Sequence, residues 1–223
     1  MPCRSDRTSR LAALGIVAAL ATLTGCAAPK YRMAYEIPTV PQASDGITIA
    51  LGPVVDAREA RGEIERFLEA PPADELANLL VRELLATGRV TRVLRHPDGG
   101  SAVLAIDAEL RDLRWELPSY NTIKTTATVL GAVSGGLGAA VYGMTPTDVY
   151  GHSRLFVRVR TLKTGQTLLE REYVGKVSRR MSKIASDSGS TRVEMVSLAV
   201  QSLMTNVRTD LAPLLGSAIE TTK

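Results

Sequence analysis

The chain has few of the residues that build metal or disulfide sites. It contains two cysteines, Cys3 and Cys26, and two histidines, His96 and His152. These are too few for a metal site made from His and Cys ligands. Cys3 lies in an N-terminal stretch that the features described below mark for removal, which leaves no partner for an intramolecular disulfide. We therefore expect no metal, no cofactor and no structural disulfide.

Aromatic residues and excess charge are also scarce. Aromatics make up 4% of the chain, so an aliphatic core is expected. The net charge is +4, and residues 1–25 carry +2 of it. Binding to nucleic acid usually needs a concentrated basic patch, so we expect no nucleic-acid partner. The nearest approach to such a patch, which we interpret as a solvated strand end and loop, is Lys176, Arg179, Arg180 and Lys183.

Known catalytic patterns are missing as well. There is no Gly-x-Ser-x-Gly nucleophile elbow, and the glycine-rich residues 134–138 lack the lysine and spacing of a phosphate-binding loop. Asp107 and Glu109 share one face of a predicted strand, opposite its apolar face, and are expected to face solvent. Asp56 and Arg58 are expected either to pair or to cap the loop after the first predicted strand. The sequence therefore favours a protein that is not an enzyme.

The N-terminus has the organisation of an export signal. Arg4, Arg7 and Arg10 precede an apolar run over residues 11–22. This run has the length of a signal-peptide core and is shorter than the roughly 20 residues needed to span a bilayer. We predict a signal peptide over residues 1–25.

The four residues that end this signal, Leu23, Thr24, Gly25 and Cys26, resemble a lipobox, the signature of bacterial lipoproteins. The resemblance implies diacylglycerol on the Cys26 sulfur, cleavage before Cys26, and acylation of the new N-terminus with a chain such as palmitate. The alternative is an ordinary secretory signal with an incidental cysteine. Ala27 follows in place of the aspartate that tends to retain lipoproteins in the inner membrane. The expected location is therefore the periplasmic face of the outer membrane.

Hydrophobic periodicity predicts the fold of the rest. Residues 26–46 contain three prolines and no sustained period, and indicate a lipidated tether. Alternating residues predict strands over 47–51, 90–94, 102–115, 154–160 and 167–177. A leucine stripe before Gly88 and a longer apolar stripe after residue 191 predict two amphipathic helices. Residues 47–223 are therefore expected to form an α+β domain, with a mixed, mainly antiparallel sheet and both helices on one face.

This succession of elements carries a second resemblance. The lipobox, a strand followed by Asp56-Ala57-Arg58, a helix ending in residues 84–88, and a late hairpin with Glu172-Tyr173 resemble the YajG-type family of small envelope lipoproteins. The order is more loosely similar to the N-terminal domain of TolB and to the curli-secretion lipoprotein CsgG. The resemblance implies a fold and a location in the envelope.

A glycine-rich insertion over residues 125–147 separates the third and fourth predicted strands and contains no charged residue. Small residues recur within it every four positions, a spacing that lets helices approach closely, especially in lipid. Two interpretations remain open: a helical segment that packs with another helix or contacts membrane, or a flexible loop or hairpin on the protein surface. The candidate packing or membrane-contact residues are Gly131, Gly135, Ala139 and Gly143.

The sequence thus leaves two functional hypotheses. The first is a membrane-anchored, non-enzymatic envelope lipoprotein that binds protein or membrane partners in the periplasm, including copies of itself. The second is an oligomeric channel or secretion component that inserts residues 125–147 into the bilayer.

Overall fold

The protein folds around a single five-stranded sheet with helices packed against it. The structure is a computed structural model and describes residues 29–37, 39, 46–59, 61–95, 101–117, 129, 132 and 137–222. Its elements are β1 (Ile47–Asp56), a 3₁₀ helix (Glu63–Phe67), α1 (Pro72–Ala86), β2 (Val90–Leu94), β3 (Leu104–Glu116), α2 (Leu137–Met144), β4 (Pro146–Thr161), β5 (Thr167–Ser182), α3 (Lys183–Ser186) and α4 (Gly189–Thr222).

The sheet is mixed, with the strand order β2-β1-β3-β4-β5. Strand β1 is parallel to both β2 and β3, whereas β3, β4 and β5 form an antiparallel meander. The antiparallel ladders are much the longer, because β4 and β5 have 16 residues each. The predicted α+β class, with a mixed and mainly antiparallel sheet, is confirmed.

Helices α1 and α4 lie on the same face of this sheet, and their apolar stripes merge with it into one core. Helix α1 follows Pro71, begins with Pro72 in its first turn, and ends before Gly88, whose φ of 69° is readily adopted only by glycine. Helix α4 is 34 residues long and crosses β3, β4 and β5. The buried stripes of the two helices are Leu76, Leu79, Leu80, Leu84, Val193, Val196, Val200, Leu203, Val207 and Leu211.

Two glycines allow α4 to approach the sheet closely. A Cβ atom on Gly175 would lie 1.9 Å from the carbonyl oxygen of Ala199, and one on Gly151 would lie 2.1 Å from that of Met195. No real side chain tolerates such distances. Because Gly151 and Gly175 have no side chain, the backbone of α4 can pack directly against β4 and β5.

The boundaries of several elements differ from those predicted. Strand β1 continues past Gly52 and Pro53 through a register shift, because the bulge accommodates a proline that cannot donate a ladder hydrogen bond. Strand β4 begins at Pro146, inside the predicted insertion, and β5 extends to Ser182. Helix α4 starts earlier than predicted: the Ser188 side chain accepts a hydrogen bond from the backbone N–H of Thr191. The same helix continues through Pro213 to Thr222.

Candidate functional site

The turn after β1 is held by a buried arginine. The Arg58 side chain is 1% exposed, and its guanidinium donates to both carboxylate oxygens of Asp56 at 2.7 and 2.6 Å and to Glu65 at 2.5 Å. These hydrogen bonds lower the pKa of Asp56 below its usual value. The predicted pairing of Asp56 with Arg58 is confirmed. The cluster ties the end of β1 to the 3₁₀ helix, so its role is structural.

The face of the sheet opposite α1 and α4 carries a ladder of charges on β3, β4 and β5. Its shortest ion pairs join Arg111 to Glu109 at 2.9 Å, Arg111 to Glu172 at 3.1 Å, and Arg158 to Glu170 at 3.1 Å. Arg111 also lies 4.2 Å from the ring centroid of Phe156. Cations and carboxylates balance across neighbouring strands, so this face is polar without a strong net sign.

Strand β5 forms one edge of the sheet and is long for an edge strand. Within the described part of the chain, its only strand partner is β4. Its side chains on the face opposite α4 change sign along the strand. Glu170 and Glu172 come before the exposed Val174, and Lys176 and Arg180 come after it. An unpaired edge offers a row of backbone donors and acceptors to another strand.

The segment before β1 is packed on the domain over part of the predicted tether. The backbone N–H of Tyr31 donates to Phe67 at 2.7 Å, and the N–H of Glu69 donates to Tyr31 at 3.0 Å. Met33 is buried in the main core, and its backbone N–H donates to Glu75 of α1 at 3.1 Å. The folded domain therefore begins at residue 31 or earlier rather than at residue 47.

A cavity of about 560 Å³ lies between this N-terminal segment and α4. Tyr31, Tyr35, Glu194 and Gln201 are among the residues that line it. Its lining combines apolar side chains with tyrosines and a few charged residues.

Helices α2 and α3 form a small cap at the end of the sheet where β4 begins and β5 ends. Gly143 is buried, and a Cβ there would meet Ile184 Cγ1 at 2.4 Å. The Lys183 ammonium lies 3.6 Å from the centre of the Tyr142 ring. Met144 and Ile184 are nevertheless 70% and 60% exposed. The cap thus presents two large apolar side chains beside a lysine.

Few titratable side chains in the described structure have the surroundings of catalytic groups. Burial raises the pKa of Glu83, which pairs with Arg208 at 3.1 Å between α1 and α4. Burial lowers the pKa of His152, which lies 3.4 Å from Glu116. Among the described residues, no group of three or more His, Cys, Asp and Glu side chains could hold a metal ion. None of the described helices combines the length and the apolar character needed to cross a bilayer.

The structure describes only part of the predicted sites. The lipobox residues Leu23, Thr24 and Gly25, the lipid acceptor Cys26, and Gly131 and Gly135 of the insertion lie outside the described residues. Ala139 and Gly143 both belong to α2, and Gly143 packs against α3 of the same chain. Their role in helix packing or membrane contact stays a prediction.

Sequence reasoning missed the docked N-terminal segment, although a signal was present. Tyr31, Met33, Tyr35 and Ile37 alternate with polar or small residues, which is the period of a half-buried strand. The prolines on both sides favoured a tether instead. The exposed residues Met144 and Ile184 could not be grouped in this way, because they are 40 positions apart and only the fold brings their helices together.

The described residues define an α+β protein with one helical layer and one sheet face that no described element covers. No family model matches the chain, and no curated protein matches it. Its fold is similar to a hypothetical protein from Chlamydia trachomatis, with 13% identity and a TM-score of 0.50 over 76% of this chain and 98% of that one.

A second similar structure is a Helicobacter pylori homologue of a neuraminyllactose-binding hemagglutinin, with 11% identity and a TM-score of 0.50 over 86% of this chain and 97% of that one. Lipoproteins occur among weaker matches. One from Caulobacter crescentus has 11% identity and a TM-score of 0.32 over 74% of this chain and 90% of that one. A TM-score of 0.32 is too low to indicate a shared fold. The two stronger likenesses, at these identities, show the fold alone.

Proposed function

We propose that this chain is a non-enzymatic lipoprotein of the bacterial envelope that binds a protein partner along β5. Lipid on Cys26 holds it on the periplasmic face of the outer membrane. The basic leader, the short apolar run, the lipobox-like residues before Cys26, and Ala27 support the anchoring. Two or more acyl chains anchor a protein stably, whereas one chain binds only marginally.

The observation that carries the binding function is the unpaired edge of β5. It runs for 16 residues, and within the described residues no other strand or backbone segment is hydrogen-bonded along its outer side. A strand added to such an edge gains backbone hydrogen bonds along its length, while outward side chains select the partner. Edge strands of this length are usually covered or protected by charge.

The partner that fits the charge pattern is a second copy of the chain. In an antiparallel pair of β5 strands centred on Val174, each Glu172 lies opposite Lys176 of the other copy. Opposite charges across neighbouring strands are favourable, whereas parallel pairing would place like charges side by side. Glu172 also contacts Arg111 and Arg154 of its own chain at 3.1 and 3.8 Å, so pairing with a second copy requires its carboxylate to bind Lys176 in addition to these arginines or instead of them.

The alternative function, an oligomeric channel that inserts residues 125–147, differs in the number of copies. A pairing of β5 with itself has two-fold symmetry and closes at two copies. A channel needs a ring of more copies joined through two different surfaces. Cross-linking of the lipidated protein in membranes separates the two hypotheses by the size of the product.

The test uses a cysteine placed at the proposed two-fold axis. In the lipidated protein Cys26 is blocked, so Val174→Cys supplies the sole free thiol. Two such residues face each other across an antiparallel pair at a distance that a disulfide can bridge. We expect mild oxidation of membranes to give a covalent dimer. Adding Lys176→Glu should abolish most of it, because Glu172 then faces a second carboxylate.

Two matched variants control for chance contacts. Val55→Cys places a thiol at a comparably exposed valine on β1, 53% against 41% for Val174, and should give little dimer. Lys163→Glu in the β4–β5 turn makes the same charge change as Lys176→Glu away from the pairing region and should leave the dimer unchanged. Equal cross-linking of Val174→Cys and Val55→Cys would reject self-pairing, and a ladder of larger products would favour the channel.

A further inference from the structure

We infer that the cap formed by α2 and α3 is a second contact with the bilayer, beside the lipid anchor. Met144 and Ile184 enter the boundary between headgroups and acyl chains, and Lys183 meets the lipid headgroups. This inference rests on the proposed anchoring through Cys26. It concerns a surface within the described structure and requires no spanning segment.

The first support is the exposure of the two apolar side chains. Met144 and Ile184 are 70% and 60% exposed although they lie on adjoining helices joined by the contact of Gly143 with Ile184. Large apolar side chains clustered on a surface mark a contact site more often than single ones do. The cap is therefore unlike the uncovered sheet face, where arginines and carboxylates alternate.

The second support is the position of the anchor. Tyr31 is hydrogen-bonded to Phe67, and the Phe67 ring packs against Gly189, as shown by the 2.4 Å separation from a Cβ placed there. Gly189 follows α3 by only three residues. Cys26 precedes Tyr31 by five residues, and five residues span at most about 17 to 18 Å between Cα atoms. Tyr31, the nearest of these residues to Cys26 in sequence, thus lies at the same end of the domain as the cap.

The third support is the chemistry of the cap. Lys183 sits over the Tyr142 ring at 3.6 Å, beside the exposed apolar pair. Aromatic rings and lysines next to apolar side chains are characteristic of surfaces that rest in the interface of a bilayer, where the cation also meets anionic lipid. A lipid surface is therefore the occupant that matches both the composition and the position of the cap.

The β4–β5 turn provides a reference at the opposite end of the sheet. Residues 163–166 are polar or glycine and fully outward-facing, and β5 carries the chain from this turn to α3. When the cap rests on the bilayer, this turn points into the periplasm. A probe there should therefore be insensitive to lipid.

The experiment maps depth in vesicles with single thiols in the full lipidated protein. Met144→Cys, Ile184→Cys and, as the distant control, Thr164→Cys are each labelled with a small fluorophore. Arg66→Cys on the 3₁₀ helix is a polar control close to the anchor. The vesicles contain phosphatidylethanolamine and phosphatidylglycerol, with a fraction of lipid carrying a nitroxide quencher high on its acyl chain.

We expect the labels at positions 144 and 184 to lose most of their fluorescence and to shift to the blue. The label at position 164 should do neither, and the label at position 66 should be quenched much less. If all four proteins float with vesicles but positions 144 and 184 respond no more than position 66, the inference is wrong while the anchoring stands. If the proteins do not float at all, the anchoring proposal fails, and this inference fails with it.

Discussion

At the scale of single residues, Arg58 is the charge whose surroundings matter most for stability. Its side chain is 1% exposed, whereas Asp56 and Glu65 are 22% and 33% exposed. The two carboxylates are therefore partly exposed to solvent. They neutralise the charge of a guanidinium that is buried. Removing one carboxylate leaves the arginine buried with half of its compensation.

We predict that Asp56→Asn destabilises the domain by about 2 kcal/mol, because Glu65 remains to pair with Arg58. The matched change Asp107→Asn, which removes a pair with Arg160 whose side chains are both more than 40% exposed, should cost under about 1 kcal/mol. Urea denaturation of the three proteins measures the difference. An equal loss in the free energy of unfolding for both variants would show that the burial of Arg58 does not strengthen its ion pairs.

The same carboxyl predicts a dependence on pH. Hydrogen bonds from Arg58 lower the pKa of Asp56 in the folded state. The stability that Asp56 contributes is therefore fully present above its unfolded pKa of about 3.9. It is lost as the pH falls through the lower, folded pKa. The stability gap between wild type and Asp56→Asn should accordingly narrow below about pH 4.

Gly175 is a second position at which a single added carbon atom would disrupt the packing. We predict that Gly175→Ala destabilises the domain by about 3 kcal/mol, because its Cβ would collide with the backbone of α4, which cannot rotate away. Gly62→Ala, whose Cβ would have no neighbour closer than 3.9 Å, is the control and should be nearly neutral. Thermal melting distinguishes them, and an unchanged melting temperature for Gly175→Ala would mean that the helix does not approach the sheet this closely.

At the scale of elements, α4 packs against both the sheet and the other helical elements. It crosses the antiparallel meander and also contacts α1 and the 3₁₀ helix. Its stripe was predictable from the sequence, since seven apolar residues recur at helical spacing. Six of these seven are buried, and Leu214 is partly exposed near the end of the helix.

We predict that Leu203→Asp unfolds the domain, because an unpaired carboxylate would enter the core at a residue that is 1% exposed. Asn206→Asp, which places the same carboxylate on an exposed position of the same helix, should leave the fold intact. Circular dichroism and thermal melting report the outcome. A folded Leu203→Asp protein with an unchanged melting temperature would show that the stripe is not the core.

The N-terminal segment shows where prediction from sequence reached its limit at this scale. Strand and helix order followed from periods of two and 3.6 residues, and it was confirmed through all five strands and both long helices. The segment from Tyr31 to Ile37 has the correct period but no neighbouring strand in sequence. Its partners, Phe67, Glu75 and Ser197, come from three distant regions. Such docking depends on tertiary packing that periodicity does not encode.

At the scale of the whole molecule, the fold presents three different surfaces. The uncovered sheet face is charged and balanced, the edge of β5 is open to another strand, and the cap is apolar. The edge and the cap could not be predicted from sequence. The strand order determines which strand is at the edge, and residues 144 and 184 lie on adjoining helices only because α2 packs against α3.

Pairing along β5 and contact of the cap with the bilayer exclude each other within one arrangement on a membrane. Tyr31 and the cap lie at one end of the sheet, and β5 runs from the β4–β5 turn towards that end. Two copies paired along β5 in antiparallel fashion would direct their caps oppositely, so the dimer and the cap contact compete unless one copy is held away from the bilayer. Observing both in the same membrane would therefore require two populations of the protein.

The central claim is the lipid anchor on Cys26, and mass spectrometry of the N-terminal peptide from membrane-extracted protein tests it most directly. The account predicts a peptide that starts at Cys26, carries diacylglycerol and an N-linked acyl chain, and comes from the outer-membrane fraction. Cys26→Ser should lack the lipid and leave that fraction. A mature protein that starts at another residue, or one with a free Cys26 thiol that still fractionates with membranes, would contradict the account.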